Sequence, residues 1–240
     1  MAQVINTNVG ALFAGAALNR SATALQTAQE RLSSGLRINS SKDDATGLGI
    51  ATGFDSKIRG ANMNIRNAND AISKAQISDG YLAQITENTQ RIREIFVQTG
   101  AVTNDEATAL IAENARIDGL VTASTGVVVD ESGGTAGGNG AAFTAATAGS
   151  LGTLADIDIE LGNITTARAK FGADMSALSS AVASLQTASV NYSASYSRVM
   201  DTDYAAETAA QAKNNILQQA GTAVLAQANQ TPQSVLTLLR

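Results

Sequence analysis

Residues 157–199 read IDIELGNITTARAKFGADMSALSSAVASLQTASVNYSASYSRV and contain the most regular pattern in the chain. Large apolar and aromatic residues recur at every seventh position, and a companion row precedes them by three positions. The first row is Ile157, Ile164, Phe171, Leu178, Leu185, Tyr192 and Val199, and the companion row is Leu154, Leu161, Met175, Val182 and Tyr196. Arg168 and Ser189 interrupt the companion row, as polar residues do where they fix the register of paired helices. The pattern predicts one long helix of coiled-coil type.

A second heptad lies in residues 58–92. Its apolar rows are Ile58, Ile65 and Ile72 on one position and Ala61, Ala68, Ala75 and Leu82 on the other, continued by Ile85 and Ile92. Gly100 then predicts a helix end, and Thr103 with Glu106 has the spacing of a capping box ahead of Leu110, Ile111 and Ile117. These residues predict a second long helix followed by a shorter one.

The two ends of the chain resemble each other, because both lack charged side chains. No Asp, Glu, Lys or Arg occurs in residues 1–19 or 214–239. Leu18, Leu25 and Leu32 lie seven residues apart and form a narrow apolar stripe that requires a partner helix. Glutamines interrupt the apolar residues near the C-terminus, so neither end has the composition of a transmembrane helix.

Turn signals separate these helices. Residues 32–44 are rich in Ser, Gly and Asn, and Asp43 and Asp44 have the spacing of capping boxes with Ser40 and Ser41. Residues 201–203 predict a break and a cap before a final helix, which Thr231–Pro232 is expected to interrupt or restart. We interpret the acidic pairs at these two breaks as helix caps rather than as a cation site.

The middle of the chain, residues 122–153, is rich in Gly, Ala and Thr. Three valines at 127–129, followed by turn residues at 130–134, predict a small β-hairpin or loop. The glycines between Gly133 and Gly140 lack the Gly-Lys-Ser/Thr ending of a phosphate-binding loop. We therefore expect an exposed connector there that is open to glycosylation.

Composition excludes several kinds of chemistry. The chain has no histidine and no cysteine, which removes disulfides, thiol catalysis and imidazole catalysis. The net charge is −5 and no run of basic residues occurs, so no nucleic acid is expected as a partner. The N-terminus has no basic segment that would indicate a conventional signal peptide. We expect no enzyme activity, no cofactor, no metal ion and no membrane partner.

Three stretches resemble the bacterial flagellins. LSSGLRINSSKDDA at 32–45, running into GLGIA at 47–51, is similar to the flagellin N-terminal signature. NILQQAGTAVLAQANQTPQSVLTLLR at 215–240 is similar to the flagellin ending, and VINTN at 4–8 also fits. The resemblance covers about residues 1–120 and 154–240 and lapses in the middle, where flagellins have their variable outer domains.

The resemblance implies an all-α fold, a long antiparallel coiled-coil-like helical hairpin or bundle with a small loop or β-hairpin insertion. Residues 1–36 and 204–240 would form the inner filament core, residues 37–121 and 154–203 the rod, and residues 122–153 the insertion. The expected inner-core residues are Val4, Ile5, Leu12, Leu18, Leu25, Leu32, Ile216, Leu217, Val224, Leu225, Val235, Leu236 and Leu239. The expected rod-core residues are Ile58, Ile65, Ile72, Leu82, Ile157, Ile164, Phe171, Leu178, Leu185, Tyr192 and Val199.

The resemblance also implies a function. The chain is expected to be a secreted subunit that polymerises with copies of itself into the extracellular flagellar filament used for motility, after export through the flagellar secretion apparatus. The expected partners are the junction and cap proteins of the filament and an export chaperone that binds around Ile216, Leu217, Val224 and Leu225. The alternatives are the hook–filament junction protein, which shares the helical terminal architecture, and a secreted helical protein of a virulence secretion system.

A further patch resembles the surface that Toll-like receptors recognise on some flagellins. Its residues are Gln90, Arg91, Glu94, Ile95 and Glu113, and Ile95 and Phe96 depart from the usual leucine and small residue. The alternative interpretation is that these charges form ion pairs three or four residues apart and contacts between subunits.

Overall fold

The computed structural model describes residues 7–124, 126–128, 134–138, 140, 144–146 and 151–238 of the 240-residue chain, with side chains described up to residue 230. Within these residues the chain is almost entirely helical, which confirms the predicted all-α fold. The helices are α1 (Val9–Ser34), α2 (Ala45–Thr99), α3 (Asp105–Asp118), α4 (Leu154–Met200) and α5 (Tyr204–Leu238). Two short strands, β1 (Val127–Val128) and β2 (Thr135–Ala136), lie between α3 and α4.

The chain divides into two compact units. Unit 1 consists of residues 1–54 and 194–240, and unit 2 consists of residues 55–193. In unit 1, α1 and α5 pack side by side in antiparallel directions. The Asn8 side chain at the start of α1 donates to the Ala228 carbonyl over 2.8 Å, and the Tyr204 hydroxyl at the start of α5 donates to the Leu32 carbonyl over 3.2 Å.

The breaks between helices follow the predicted turn residues, with one change in how α2 begins. The predicted pairing of Ser40 with Asp43 forms, because the Asp43 carboxylate accepts from the Ser40 amide and hydroxyl, but it closes a turn rather than a helix. Those bonds, together with one from the Asn39 amide, lower the pKa of Asp43. Asp44 itself caps α2 by accepting from the Gly47 amide over 2.8 Å, so the predicted box with Ser41 is wrong.

Unit 2 contains an antiparallel pairing of α2 with α4. Arg93 donates to Asp158 over 2.7 Å and Arg168 to Asp79 over 2.8 Å, and Lys57 lies over the ring of Tyr192 at 5.4 Å. The Ser189 hydroxyl lies 3.3 Å from the Asn62 amide oxygen. The two polar residues that interrupt the heptad of α4 therefore both contact α2, as expected for residues that fix a register.

The first heptad row of α4 is the buried one, and the second buried row differs from the predicted one. Ile157, Ile164, Phe171, Leu178 and Leu185 are all buried. The second buried row is Glu160, Ala167, Asp174 and Ala181, whereas the predicted companion residues one position later are only half-buried. The prediction missed this row because two of its members are acidic. Their carboxylates are buried by hydrogen bonds to the middle segment rather than by apolar packing.

The shorter helix α3 begins without the predicted capping box. Asn104 precedes its first residue and makes no side-chain cap, and the Glu106 carboxylate accepts from Arg91 instead of reaching back to Thr103. A buried polar chain joins α3 to α2, because Asn88 donates to Asn114 over 2.8 Å and Asn114 donates to Thr89 over 3.2 Å. Each of these three buried side chains therefore has a partner.

The middle segment contains the predicted hairpin. β1 and β2 pair antiparallel, with Val127 opposite Ala136 and Val128 opposite Thr135. The expected exposed connector is wrong at Gly140, which is buried, and a Cβ there would lie 2.6 Å from the Phe171 ring. The Gly140 amide donates to Asp174 over 2.8 Å, and the Ala146 amide donates to Glu160 over 2.8 Å. The described part of the insertion thus packs on α4.

Two further observations concern α5 and the long helices in general. α5 continues through Thr231–Pro232 to Leu238, so the interruption expected at that dipeptide does not occur. Within the described ranges, none of the helices combines the length and the hydropathy that a membrane span requires.

Candidate assembly surface on the terminal helices

The paired helices α1 and α5 have large apolar side chains on their outer faces. We call these residues the apolar terminal surface, and they are Val9, Leu12, Phe13, Ile216, Leu217 and Val224. Phe13 is 75% exposed and Ile216 is 65% exposed, although both lie on well-formed helices. Covering such a side chain contributes about 1.5 to 3 kcal/mol, and exposed apolar patches are typical of surfaces that bind another protein.

The apolar terminal surface remains exposed because small residues fill the contact between the two helices. The fully buried positions of α1 are Ala14, Ser21 and Ala28, which lie seven residues apart. The predicted leucine stripe, Leu18, Leu25 and Leu32, is only half-buried beside them. Small residues allow two helices to approach closely but remove little apolar area from water, so the pair contributes little stability of its own.

The surface is also electrically neutral. No charged residue occurs on α1 before Arg20 or on the described part of α5 after Lys213. Among the described side chains, Arg31 of α1 and Glu207 of α5 form an ion pair at 3.8 Å, at the opposite end of the two helices from this surface. Copies of a neutral apolar surface can therefore approach one another without electrostatic repulsion.

The predicted inner-core residues fall into three groups. Leu12, Ile216, Leu217 and Val224 are exposed, and Leu18, Leu25, Leu32 and Leu225 are half-buried. The backbone of Val235 and Leu236 is part of α5, but their side chains lie outside the described residues, as do Val4, Ile5 and Leu239 altogether. Val9 and Phe13 were not predicted, although both are large apolar residues of the uncharged N-terminal segment.

The predicted rod-core residues are buried to different degrees. Those that are fully buried are Leu82, Ile157, Ile164, Phe171, Leu178 and Leu185. Those that are half-buried are Ile58, Ile65, Ile72, Tyr192 and Val199. On α2 the alanines at 61, 68 and 75 are buried in place of the isoleucines.

The charged residues of the receptor-like patch are engaged in ion pairs, with one another or with neighbouring side chains. Arg91 donates to Glu106 over 2.8 Å and to Glu94 over 3.0 Å, and these bonds raise its pKa. Arg116 donates to Glu113 over 2.6 Å, and this bond lowers the pKa of Glu113. Gln90 is exposed, whereas Ile95 is 3% exposed and packs with Ile92 and Ile157. Ile95 is therefore not on the surface, and the expected ion pairs at short spacing are present.

None of the described residues forms a cluster suited to hold a metal ion. The described residues form an all-α chain whose two terminal helices pair through small residues and expose a neutral apolar face.

Comparisons with known proteins identify the family. Residues 5–128 match the bacterial flagellin N-terminal helical region, and residues 154–239 match the bacterial flagellin C-terminal helical region. The flagellar filament 33 kDa core protein of Treponema phagedenis is 35% identical over 99% of this chain and 100% of its own length. A flagellin of Salmonella rubislaw is 54% identical over 45% of this chain and 22% of its own length. The flagellin of Escherichia coli K12 is 52% identical over the same shares.

The chain belongs to the bacterial flagellin family, a family of structural proteins, and is a filament subunit with a short central region. The Treponema protein is matched along its whole length, whereas the chain spans about a fifth of the Salmonella flagellin. The matches favour the filament subunit over the hook–filament junction protein.

Proposed function

We propose that this chain polymerises through its two terminal segments, residues 1–36 and 204–240, and that these segments form the inner core of a flagellar filament. Residues 37–121 and 154–203 would form the rod of each subunit, and residues 122–153 would be a short insertion. The observation that supports this proposal best is the apolar terminal surface, which is large, neutral and exposed on both helices. The role is structural, and no catalytic step is involved.

The terminal segments fold when copies of the chain cover them. Ordering a residue costs about 1 to 2 kcal/mol, and the contact between α1 and α5 buries mainly alanine and serine, which offsets little of that cost. Neighbouring subunits would bury Phe13, Ile216 and the rest of the apolar terminal surface. The face on one copy would differ from the face that it meets on the next, and the rotation between successive copies would not close. Such a contact produces a helical polymer.

The test of this proposal is a matched pair of isoleucine substitutions. Ile216 on α5 and Ile159 on α4 are exposed to a similar extent, 65% and 61%. We expect Ile216→Ser to raise the critical concentration for polymerisation about 10-fold or more, because each subunit loses one buried isoleucine per contact. Ile159→Ser is expected to change it by less than about 3-fold.

The critical concentration is measured by sedimentation of seeded polymer at several protein concentrations. Thermal unfolding of both variants controls for loss of fold, and neither exposed substitution should change it. An equal effect of the two variants, or no effect of Ile216→Ser, would show that the terminal surface is not the assembly contact.

Three kinds of partner follow from this proposal. The exposed Ile216, Leu217 and Val224 form a face that an export chaperone could cover before secretion, and calorimetry of a purified chaperone with wild-type and Ile216→Ser chains tests this contact.

The filament would end in junction and cap proteins and would lie outside the cell. A strain without this chain should lose filaments; shortened hooks with secreted free flagellin would instead indicate the junction role.

A Toll-like receptor would contact this patch only through Gln90, Arg91, Glu94 and Glu113, because Ile95 is buried. The test is receptor activation by monomers of the wild type and of Arg91→Ala. Equal activation, or none by the wild type, would leave these charges with their role in ion pairs.

A further inference from the structure

The two connectors of unit 1 are bonded directly to each other. We call residues 35–38, between α1 and α2, and residues 199–203, at the end of α4 and before α5, the terminal joint. The Arg37 amide donates to the Met200 carbonyl over 2.6 Å, and the Thr202 amide donates to the Gly35 carbonyl over 3.0 Å. Leu36 and Asp201 face each other in an antiparallel β-bridge. Two loops distant in sequence thus share a short ladder.

Each helix that ends at the terminal joint is capped by residues in or directly after the other connector. The last carbonyls of a helix have no partner within it and must find one outside. At the end of α4, the Val199 carbonyl accepts from the Arg37 guanidinium over 2.8 Å, and the Met200 carbonyl accepts from the Arg37 amide. Near the end of α1, the Leu32 carbonyl accepts from the Tyr204 hydroxyl over 3.2 Å. The capping is therefore reciprocal.

Backbone conformation and packing hold this arrangement. Gly35 has a φ of 72°, which lets α1 end in the left-handed conformation with its amide bonded to the Arg31 carbonyl over 2.8 Å. Beneath the ladder, Ile38, Ala51 and Met200 form a small buried cluster. The connector after α1 and the end of α4 are thus joined by apolar contacts as well as by hydrogen bonds.

We propose that the terminal joint is a single cooperative unit in which the ends of α1 and α4 stabilise each other by reciprocal capping. Neither connector can change its conformation alone, because opening one removes the carbonyl partners of the other. A change in the conformation of the joint would consequently reorient α1 and α5 together. This inference rests on the proposed function in one respect, because α1 and α5 bear the surface through which copies assemble. A shift in the packing of that surface against neighbouring copies would therefore act on both connectors at once.

The test is amide hydrogen exchange at single residues in the assembled full-length chain, quenched and then read by mass spectrometry with electron-transfer fragmentation. We expect the Arg37 and Thr202 amides to be protected and their protection factors to agree within about 3-fold, because one opening event exposes both. Protection factors that differ by more than about 10-fold, or the absence of protection at either amide, would show that the connectors open independently.

Substitutions make the test specific to the reciprocal cap. Arg37→Ala removes the guanidinium but keeps the backbone amide. It should speed exchange at the amides of residues 37 and 202 by a similar factor of about 10. Tyr204→Phe removes one hydroxyl at the start of α5, directly after the opposite connector, and should speed exchange at both amides by about 3-fold. Arg59→Ala, which breaks an exposed ion pair with Asp55 on α2, is the matched control and should change neither.

A variant that speeds exchange at only one of the two amides would overturn the proposal, as would Arg37→Ala with no effect at Thr202. If Arg37→Ala fails to assemble, Tyr204→Phe provides the same comparison. Failure of the proposed function is separate, because it appears in the critical concentration of Ile216→Ser and not in the exchange of wild-type amides.

Discussion

Gly47 shows at the scale of one residue why α2 begins where it does. It lies in the first turn of α2, and its amide donates to the Asp44 carboxylate that caps the helix. A Cβ at this position would lie 2.7 Å from Ile38 Cδ1 and 2.9 Å from Asp44 Cγ. The cap and the buried Ile38 therefore occupy the space that any larger residue would need.

We predict that Gly47→Ala destabilises the start of α2 by about 1 to 3 kcal/mol, because either the cap or Ile38 must move. Gly49→Ala is the matched control: no atom lies within 4 Å of its Cβ, and alanine should stabilise the helix by about 0.5 to 1 kcal/mol. Thermal unfolding followed by circular dichroism measures both. Similar melting temperatures for the two variants would contradict the steric argument.

Two acids on α3 show how placement on one element sets the sign of an electrostatic effect. The hydrogen bond from Arg116 lowers the pKa of Glu113. Burial raises the pKa of Asp118, the last residue of α3, and the Ala145 amide opposes this only in part. Its Oδ1 atom is buried without a hydrogen-bond partner, and the negative end of the helix dipole adds to the cost of its charge.

We predict that Asp118→Asn stabilises unit 2 at pH 7 by about 0.3 to 1 kcal/mol, because asparagine keeps an acceptor for Ala145 without the charge. The pKa of Asp118 is raised on folding, so its ionisation lowers stability as the pH rises through that folded value. The advantage of the variant should therefore vanish in acid, below the unfolded pKa. Calorimetry between pH 3 and about pH 7 measures the difference.

Glu113→Gln is the control with the opposite sign. The pKa of Glu113 is lowered on folding, so its contribution to stability is present above the unfolded pKa and is lost as the pH falls through the folded value. Removing the Glu113 carboxylate should slightly destabilise unit 2 at neutral pH and should have no effect on its stability in acid. A gain in stability at pH 7 for Glu113→Gln, or a loss for Asp118→Asn, would contradict this account.

The extent to which the fold could be predicted from the sequence is clearest on α4. Its seven-residue repeat was sufficient to predict the helix and its first buried row, from Ile157 to Leu185. The second row could not be predicted from apolar residues, because Glu160 and Asp174 are buried as acceptors for amides of the insertion. Whether a carboxylate is buried depends on a partner distant in the sequence, and periodicity contains no information about that partner.

At the scale of the whole molecule, the two units differ in what stabilises them. Unit 2 has continuous apolar clusters that involve α2, α3 and α4, including Phe171, Ile164 and Ile92. In unit 1 the buried positions of α1 are small residues, and several of the larger apolar side chains of α1 and α5 are exposed. We therefore expect unit 2 to be stable in a single chain and the terminal helices to depend on other copies.

We predict that in dilute monomer the amides of residues 1–36 and 204–240 exchange at nearly unprotected rates, because the contact between the ends does not offset the cost of ordering them. The amides of α2, α3 and α4 in unit 2 should be protected under the same conditions. In the polymer, both sets should be protected. Hydrogen exchange followed by mass spectrometry makes the comparison, and protected ends in the dilute monomer would refute the prediction.

The sequence alone determined the helical fold, the breaks between the five helices, the uncharged ends and membership of the flagellin family, because these follow from periodicity, turn residues and long matching segments. The interruption expected at Thr231–Pro232 was the exception. Only the tertiary structure decided that Ile95 is buried, that Phe13 is exposed and that the two connectors cap each other. A repeat defines which residues share a face of a helix. Which face is covered, and by what, depends on contacts between segments far apart in the chain.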